Sequence, residues 1–180
     1  NSLYYGYSYP DCLTPTGDNN IVNESTTICD GTYYINDTNG DGVFQINASD
    51  IELNCSNAIF IGDNAANSRF LNFSGAKTGV NITKCNVTNY KAFLLAGGYG
   101  SDYGMRVKTL SYNELHNISN GISAYMENVL FNKFYSSDGV NSVGVTKNMS
   151  FNYFNSSGAQ ISGVNDARFE NNEMYYGGVY

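Results

Sequence analysis

Tryptophan is absent from the 180-residue chain, histidine occurs once, proline twice, and lysine and arginine together only nine times. Each shortage removes a possibility. The basic residues are scattered singly under a net charge of −7, so no cluster exists to neutralise phosphates and nucleic-acid binding has no support. No apolar run approaches the roughly 18–20 residues that carry a helix across a bilayer, so no transmembrane segment is expected. With His116 the sole imidazole and no C-x-x-C pair, no zinc site of credible spacing remains. Charged residues make up 14% of the chain and the better helix formers are few, yet 42% of residues are hydrophobic. That combination argues against disorder.

What the chain has in quantity is asparagine (27), serine plus threonine (29), glycine (19) and tyrosine (16). Turn residues interleaved with β-branched and aromatic ones read as short strands joined by tight turns. The length suits one domain with a sizeable core.

The decapeptide FNKFYSSDGV at 131–140 returns as FNYFNSSGAQ at 151–160. Extended outward, the pattern apolar-x-apolar-Asn-x-apolar occurs at Leu110–Leu115, Val129–Phe134 and Met149–Phe154. A looser form, read with two extra residues, spans Ala167–Met174. Asn113, Asn132, Asn152 and Asn172 then follow one another at 19, 20 and 20 residues. Gly121, Gly139, Gly158 and Gly177 follow at 18, 19 and 19. Two ladders of nearly equal step, with a period near 19–20, indicate a solenoid.

Winding each unit into a coil makes equivalent residues neighbours about 4.8 Å apart on parallel strands. The expected architecture is an all-β parallel β-helix solenoid of about seven coils, filling 25–180 behind a tyrosine-rich N-terminal segment or cap at 1–24. A loop is inserted near 96–105. On this reading Phe131 stacks inward with Phe151 and Phe169, and Val129 with Met149 and Ala167. The four asparagines form a ladder of amide hydrogen bonds at one turn.

Asn-x-Ser/Thr sequons begin at Asn23, Asn36, Asn47, Asn54, Asn72, Asn81, Asn86, Asn117, Asn148 and Asn155. Composition alone would supply about four. The excess points to N-linked glycans on an extracellular or cell-surface protein; the alternative is that Asn and Ser serve only as turn residues. The first residue is Asn, which fits a processed chain or a fragment. Cys12, Cys29, Cys55 and Cys85 allow three pairings, of which we expect Cys12–Cys29 and Cys55–Cys85, with free thiols as the alternative.

The segments CDGTYYIND, GDGVFQINASDIELNC and GVNITKCNVTNY carry a family resemblance. They are similar to secreted right-handed parallel β-helix repeat proteins of the pectate-lyase-like superfamily, especially archaeal-type surface proteins with NosD-like repeats. The resemblance covers about 25–180. It implies a right-handed winding, but that superfamily spans lyases, hydrolases, adhesins and envelope proteins, so it implies no single activity.

No catalytic set is expected. Coil-equivalent positions Asn128, Asn148 and Asp166, and Glu127, Lys147 and Asn165, offer no paired carboxylates for acid–base work. Arg106-Val107-Lys108 matches one piece of a polygalacturonase-like site, whose other pieces are missing; Arg106, Lys108 and His116 read as surface residues. In DTNGDG, Asp37, Asn39 and Asp41 hold the first, third and fifth positions of a calcium loop, while the twelfth is Ala48. Calcium, or a polar turn that needs none, would both fit, and no other cofactor is implied. Tyr4, Tyr5, Tyr7, Tyr9, Tyr175, Tyr176 and Tyr180 crowd the ends, and GGVY opens a coil without a cap. Together they suggest a homo-oligomer or filament assembled through coil ends, a structural subunit of a sheath, layer or fibre and not an enzyme. A carbohydrate-binding or adhesin module using Tyr99 and Tyr103 is the alternative, with a polysaccharide lyase or hydrolase third.

Overall fold

The computed structural model describes residues 12–95, 106–135, 140–141, 143–155, 159–160 and 168–175. Most apolar alternations run only a few positions before an Asn, Gly or Ser interrupts them, so most strands are short. The first coil holds β1 (Asn20–Val22), β2 (Thr26–Thr27) and β3 (Thr32–Tyr34). The second holds β4 (Phe44–Ile46), β5 (Glu52–Asn54) and β6 (Ile59–Ile61), and the third β7 (Arg69–Phe73), β8 (Val80–Thr83) and β9 (Asn86–Thr88). In the fourth are β10 (Ala92–Leu95), β11 (Arg106–Ser111) and β12 (Glu114–His116). Then come β13 (Ile122–Leu130) with β14 (Lys133–Tyr135), and β15 (Val140–Asn141) with β16 (Val143–Ser150) and β17 (Tyr153–Asn155). The last described strands are β18 (Ala159–Gln160), β19 (Arg168–Glu170) and β20 (Glu173–Tyr175).

All pairings between these strands are parallel. They define a β-solenoid with three faces. The first face runs β1-β4-β7-β10-β13, the second β2-β5-β8-β11-β13-β16-β19, and the third β3-β6-β9-β12-β14-β17-β20. Regular three-faced winding therefore holds for about five turns, not the seven equivalent coils expected. Past β13 the first face gives way to the separate β15–β18 pair.

The period is not uniform either. On the second face Thr26, Leu53, Ile82 and Leu110 are consecutive rungs, at steps of 27, 29 and 28 residues. Val129, Met149 and Phe169 follow at 19, 20 and 20. The shortening has a local cause in β13. Ser123 pairs with Leu95 and Tyr125 with Arg106, so one nine-residue strand replaces two strands and everything between them. The insertion expected at 96–105 falls in that interval and lies outside the described residues.

The winding begins at Asn20, inside the segment expected to be a cap. Before it, Leu13 forms a parallel bridge with Ile28, and the Cys12–Cys29 disulfide pins that contact beside β2. A second disulfide, Cys55–Cys85, ties adjacent coils across 30 residues with Cα atoms 4.8 Å apart, within the ordinary range for a bridge.

Inward residues stack in rows. Leu53, Ile82, Leu110, Val129 and Met149 fill one, and Phe60, Val87, Leu115, Phe134 and Phe154 another, all buried. The Met149 row continues to Phe169, not Ala167. Asn113, Asn132 and Asn152 are buried as completely as these apolar side chains. Asn132 Nδ2 donates to Leu110 O at 2.9 Å and to Asn152 Oδ1 at 3.0 Å. Its Oδ1 accepts from both Asn113 N and Asn113 Nδ2 at 3.0 Å. Asn152 and Asn172 repeat the arrangement one coil further on, with Asn172 Nδ2 donating to Met149 O at 2.8 Å. Every amide in the column thereby answers carbonyls and N–H groups that the turn would otherwise bury unpaired.

Replacing Asn132 by alanine strips partners from Leu110 O and from the Asn113 amide and backbone N–H. The expected cost is roughly 2–4 kcal/mol. The half-exposed Asn128, whose Nδ2 meets only Lys108 O, should lose less than about 0.5 kcal/mol as Asn128→Ala. Urea unfolding midpoints of the two variants check the contrast.

Candidate functional site

With the inner rows committed to packing, the chemistry available to a partner lies on the outward rows. The turn from the second face to the third is two residues long in the later coils: Tyr112-Asn113, Phe131-Asn132, Phe151-Asn152 and Asn171-Asn172. The asparagine points in, as described. The residue before it has a left-handed backbone, with φ of 58°, 57°, 60° and 52°. That conformation reverses the side chain and sends it outward.

Phe131 and Phe151 are therefore not core residues, as the repeat pattern suggested. They are 42% and 49% exposed, and Tyr112 is 57% exposed. The three rings form an external stack, Tyr112 on Phe131 at 5.0 Å and Phe131 on Phe151 at 4.9 Å, within 5° of parallel. Phe169 belongs to a different row, as its pairing with Met149 shows. The inward pair of the same decapeptide is Phe134 and Phe154, at 4.8 Å.

Beside this stack runs the outer side of the third face. Its two rows read Thr32, Ile59, Asn86, Glu114, Lys133, Tyr153, Glu173 and Tyr34, Ile61, Thr88, His116, Tyr135, Asn155, Tyr175. The folding brings together three ionisable groups that sequence reading left apart. Glu114 Oε1 lies 2.8 Å from His116 Nε2, and its Oε2 lies 3.5 Å from Lys133 Nζ. His116 also stacks on Tyr135 at 4.5 Å. All three side chains are at least a third exposed, and pairs so placed contribute little, about 0–1 kcal/mol each. The signal for this cluster was available: Glu114 and His116 share an i, i+2 face, and Lys133 is Glu114 plus one short coil. Of the Arg106–Lys108 segment, Lys108 is exposed; the side chain of Arg106 lies outside the described residues.

The DTNGDG segment is a turn between coils. Asp37 is buried; its Oδ1 accepts from Gly40 N at 2.9 Å and its Oδ2 from Arg69 N at 2.8 Å. Asn39 Oδ1 accepts from Asp41 N, and Asp41 Oδ2 from Gln45 Nε2 at 3.0 Å. Gly42 turns with φ of 94°, and a Cβ there would sit 2.9 Å from Asn72 N. Among the described residues no group of three His, Cys, Asp or Glu side chains is placed to hold a metal ion. Nearby, Tyr90 is buried and its hydroxyl donates to Ile35 O at 2.5 Å. Burial first, then Asp37 and Asp63, push its pKa far above the usual phenol range, so it stays a neutral donor.

All ten sequon asparagines lie among the described residues, and none is buried. Of the tyrosines expected at an assembly surface only Tyr175 is described, and it is 49% exposed. Tyr4, Tyr5, Tyr7, Tyr9, Tyr176 and Tyr180 lie outside the described residues, as do Tyr99, Tyr103 and the final GGVY. No helix among the described residues is long and apolar enough to cross a membrane. Comparison with protein-family models, with curated proteins and with solved structures found no match.

A left-handed backbone costs a non-glycine residue about 1–2 kcal/mol, while the two stacked pairs that Phe131 makes contribute roughly 1–3 kcal/mol together. These nearly cancel at the outward stack. Phe131→Gly should accordingly change stability by less than about 2 kcal/mol, whereas Phe134→Ala, three residues away in the core, should cost about 3–5 kcal/mol. Chemical denaturation of both variants tests the assignment of the two rings.

Proposed function

We propose that the protein is a structural, N-glycosylated, extracellular subunit of a cell-surface sheath, layer or fibre, and that copies add to one another through the ends of the solenoid. The observation that carries this reading is an all-parallel stack whose buried apolar row leads to an exposed ring. The buried row Leu53–Met149 passes on to Phe169, which is 44% exposed, and the companion row to a half-buried Met174. A parallel edge with an apolar side chain at its centre is a template for another strand. The opposite end differs, because Leu13 and the Cys12–Cys29 bridge already occupy part of its edge.

Two features support the setting. Paired disulfides persist where the surroundings are oxidising, and ten outward sequons suit a chain that passes a glycosylation machinery. A carbohydrate-binding or adhesin role is the second reading, favoured by the exposed rings of Tyr112, Phe131 and Phe151. In that stack the rings cover one another's faces, which leaves mainly edges for a sugar and makes the first reading the stronger.

The proposal predicts concentration-dependent assembly, seen by sedimentation and as filaments or a lattice by electron microscopy of native material. Phe169→Glu should abolish it while leaving the monomer folded, since the charge would have to be desolvated at the junction. A wild-type chain that stays monomeric at high concentration overturns the reading; glycan-array binding by that monomer, lost on replacing Tyr112 and Phe151, would establish the second.

A further inference from the structure

The ten sequons are not equivalent once the register is known. Asn54 lies beside Thr83, Asn72 beside Gln45, Asn81 beside Glu52, Asn86 between Ile59 and Glu114, and Asn148 between Asn128 and Arg168. Asn47 hydrogen-bonds to Asn23, and Asn117 to Asn89. Asn155 is different. Its register partners on the strands either side are Tyr135 and Tyr175, and Tyr153 precedes it by two positions on the same outward side of β17. Tyr153 bridges the other two rings, with centroids 5.5 Å from Tyr135 and 5.5 Å from Tyr175, tilted by 48° and 43°. Among the described residues, this sequon alone is flanked by tyrosine on both neighbouring strands.

The rings are tilted, unlike the parallel stack of Tyr112, Phe131 and Phe151, so parts of their faces are not covered by one another. The Asn155 Nδ2 atom, to which a sugar would be attached, lies 3.5 Å from the Tyr153 hydroxyl oxygen. A pyranose presents a face of C–H groups edged by hydroxyls. That matches an aromatic surface with a phenol rim, where apolar area is buried and the polar edge stays wet. Tyr175 remains 49% exposed, so there is apolar surface left to cover.

We infer that the first sugar of an N-linked glycan on Asn155 packs into the niche formed by Tyr135, Tyr153 and Tyr175, making that glycan a structural part of the third face. The inference rests on the glycoprotein reading above. The attachment itself is the ordinary one: Nδ2 forms a bond to the sugar C1 and loses a proton, the C1–oxygen bond to a lipid-phosphate donor breaks, and the lipid phosphate leaves. What is specific to this site is the packing that follows.

The test compares chain made in a glycosylating host with chain from a host that attaches no N-glycans. Peptide mass measurement should show Asn155 occupied. Asn155→Gln should lower the unfolding temperature of the glycosylated protein by about 2–4 °C, beyond any change the same substitution makes in the bare protein. That difference between hosts should vanish in a Tyr135→Ser/Tyr153→Ser background, or in Tyr175→Ser at the last rung should the double variant fold poorly. Asn148→Gln should show no dependence on these tyrosines. An occupied Asn155 with no such difference overturns the packing and leaves the glycoprotein reading standing. Sugar on other sequons but none on Asn155 overturns this inference alone, and sugar on none of the ten overturns both.

Discussion

The structure depends on how the chain turns from its second face to its third without leaving buried backbone groups unpaired. The later coils solve this with two residues, one in the left-handed conformation and one asparagine, whose amide bonds the coil before it and the coil after it. An amide suits the position because it offers two donors and an acceptor on one short side chain. Every coil can present the same group at the same height, and each stacked copy satisfies the next. A carboxylate column would repel itself and an apolar column would leave the turn's carbonyls bare. The column has a covalent beginning: Cys85 occupies the position before Asn113, its N–H donates to Asn113 Oδ1 at 3.0 Å, and its sulfur is bonded to Cys55. The coil that has four residues at this turn, Cys55–Ala58, is thus linked to its neighbour by a disulfide where the later coils use amides.

This turn also explains what could and could not be read from the chain. The asparagine column was legible, since its spacing is that of a buried, register-locked feature and any slip would break every amide bond at once. The position of Phe131 and Phe151 was not. Strict alternation placed them inward, but alternation applies only within a strand, and a left-handed residue between two strands reverses the parity. The unit at 167–174 shows the same rule. By sequence it carries two extra residues, yet Met149 pairs with Phe169 and Phe154 with Met174 in unbroken register. The turn asks for tolerance of positive φ, which Asn171 supplies better than phenylalanine does. Asn171 is equivalent to Phe131, and no residues are extra.

The first half was hidden for a different reason. Its coils are longer by about eight residues because two faces are built from separate strands with a loop between, and loop lengths are free to vary when the strands they join stay paired. Sequence self-similarity therefore fades where the architecture is most regular in three-faced form, and is clearest where β13 has fused two faces into one strand. A period detected in one half of a solenoid predicts the winding of the other half, but neither its coil length nor its count of faces. The Glu114–His116–Lys133 cluster, by contrast, follows from the 19-residue step between Asn113 and Asn132, which also sets Lys133 beside Glu114.

The division between inner and outer rows bears on function more directly than any single motif. Inner positions are answerable to the coil above and below, so their identity reports on packing. Outer positions on a parallel sheet have no such obligation, and a departure from simple polar residues there needs another cause. On the third face the early coils present Thr32, Tyr34, Ile59, Ile61, Asn86 and Thr88, with Tyr34 their one aromatic ring, whereas the later ones present Glu114, Lys133, His116, Tyr135, Tyr153 and Tyr175. The adjoining turn carries Tyr112, Phe131 and Phe151 in a backbone conformation that disfavours them. Aromatic residues held outward at a conformational cost, beside a sequon asparagine on the same rows, concentrate the recognition chemistry of the third face in its later coils. The core asparagines keep that surface in register, so the stability of the buried column and the order of the exposed rings are one property of the same turn.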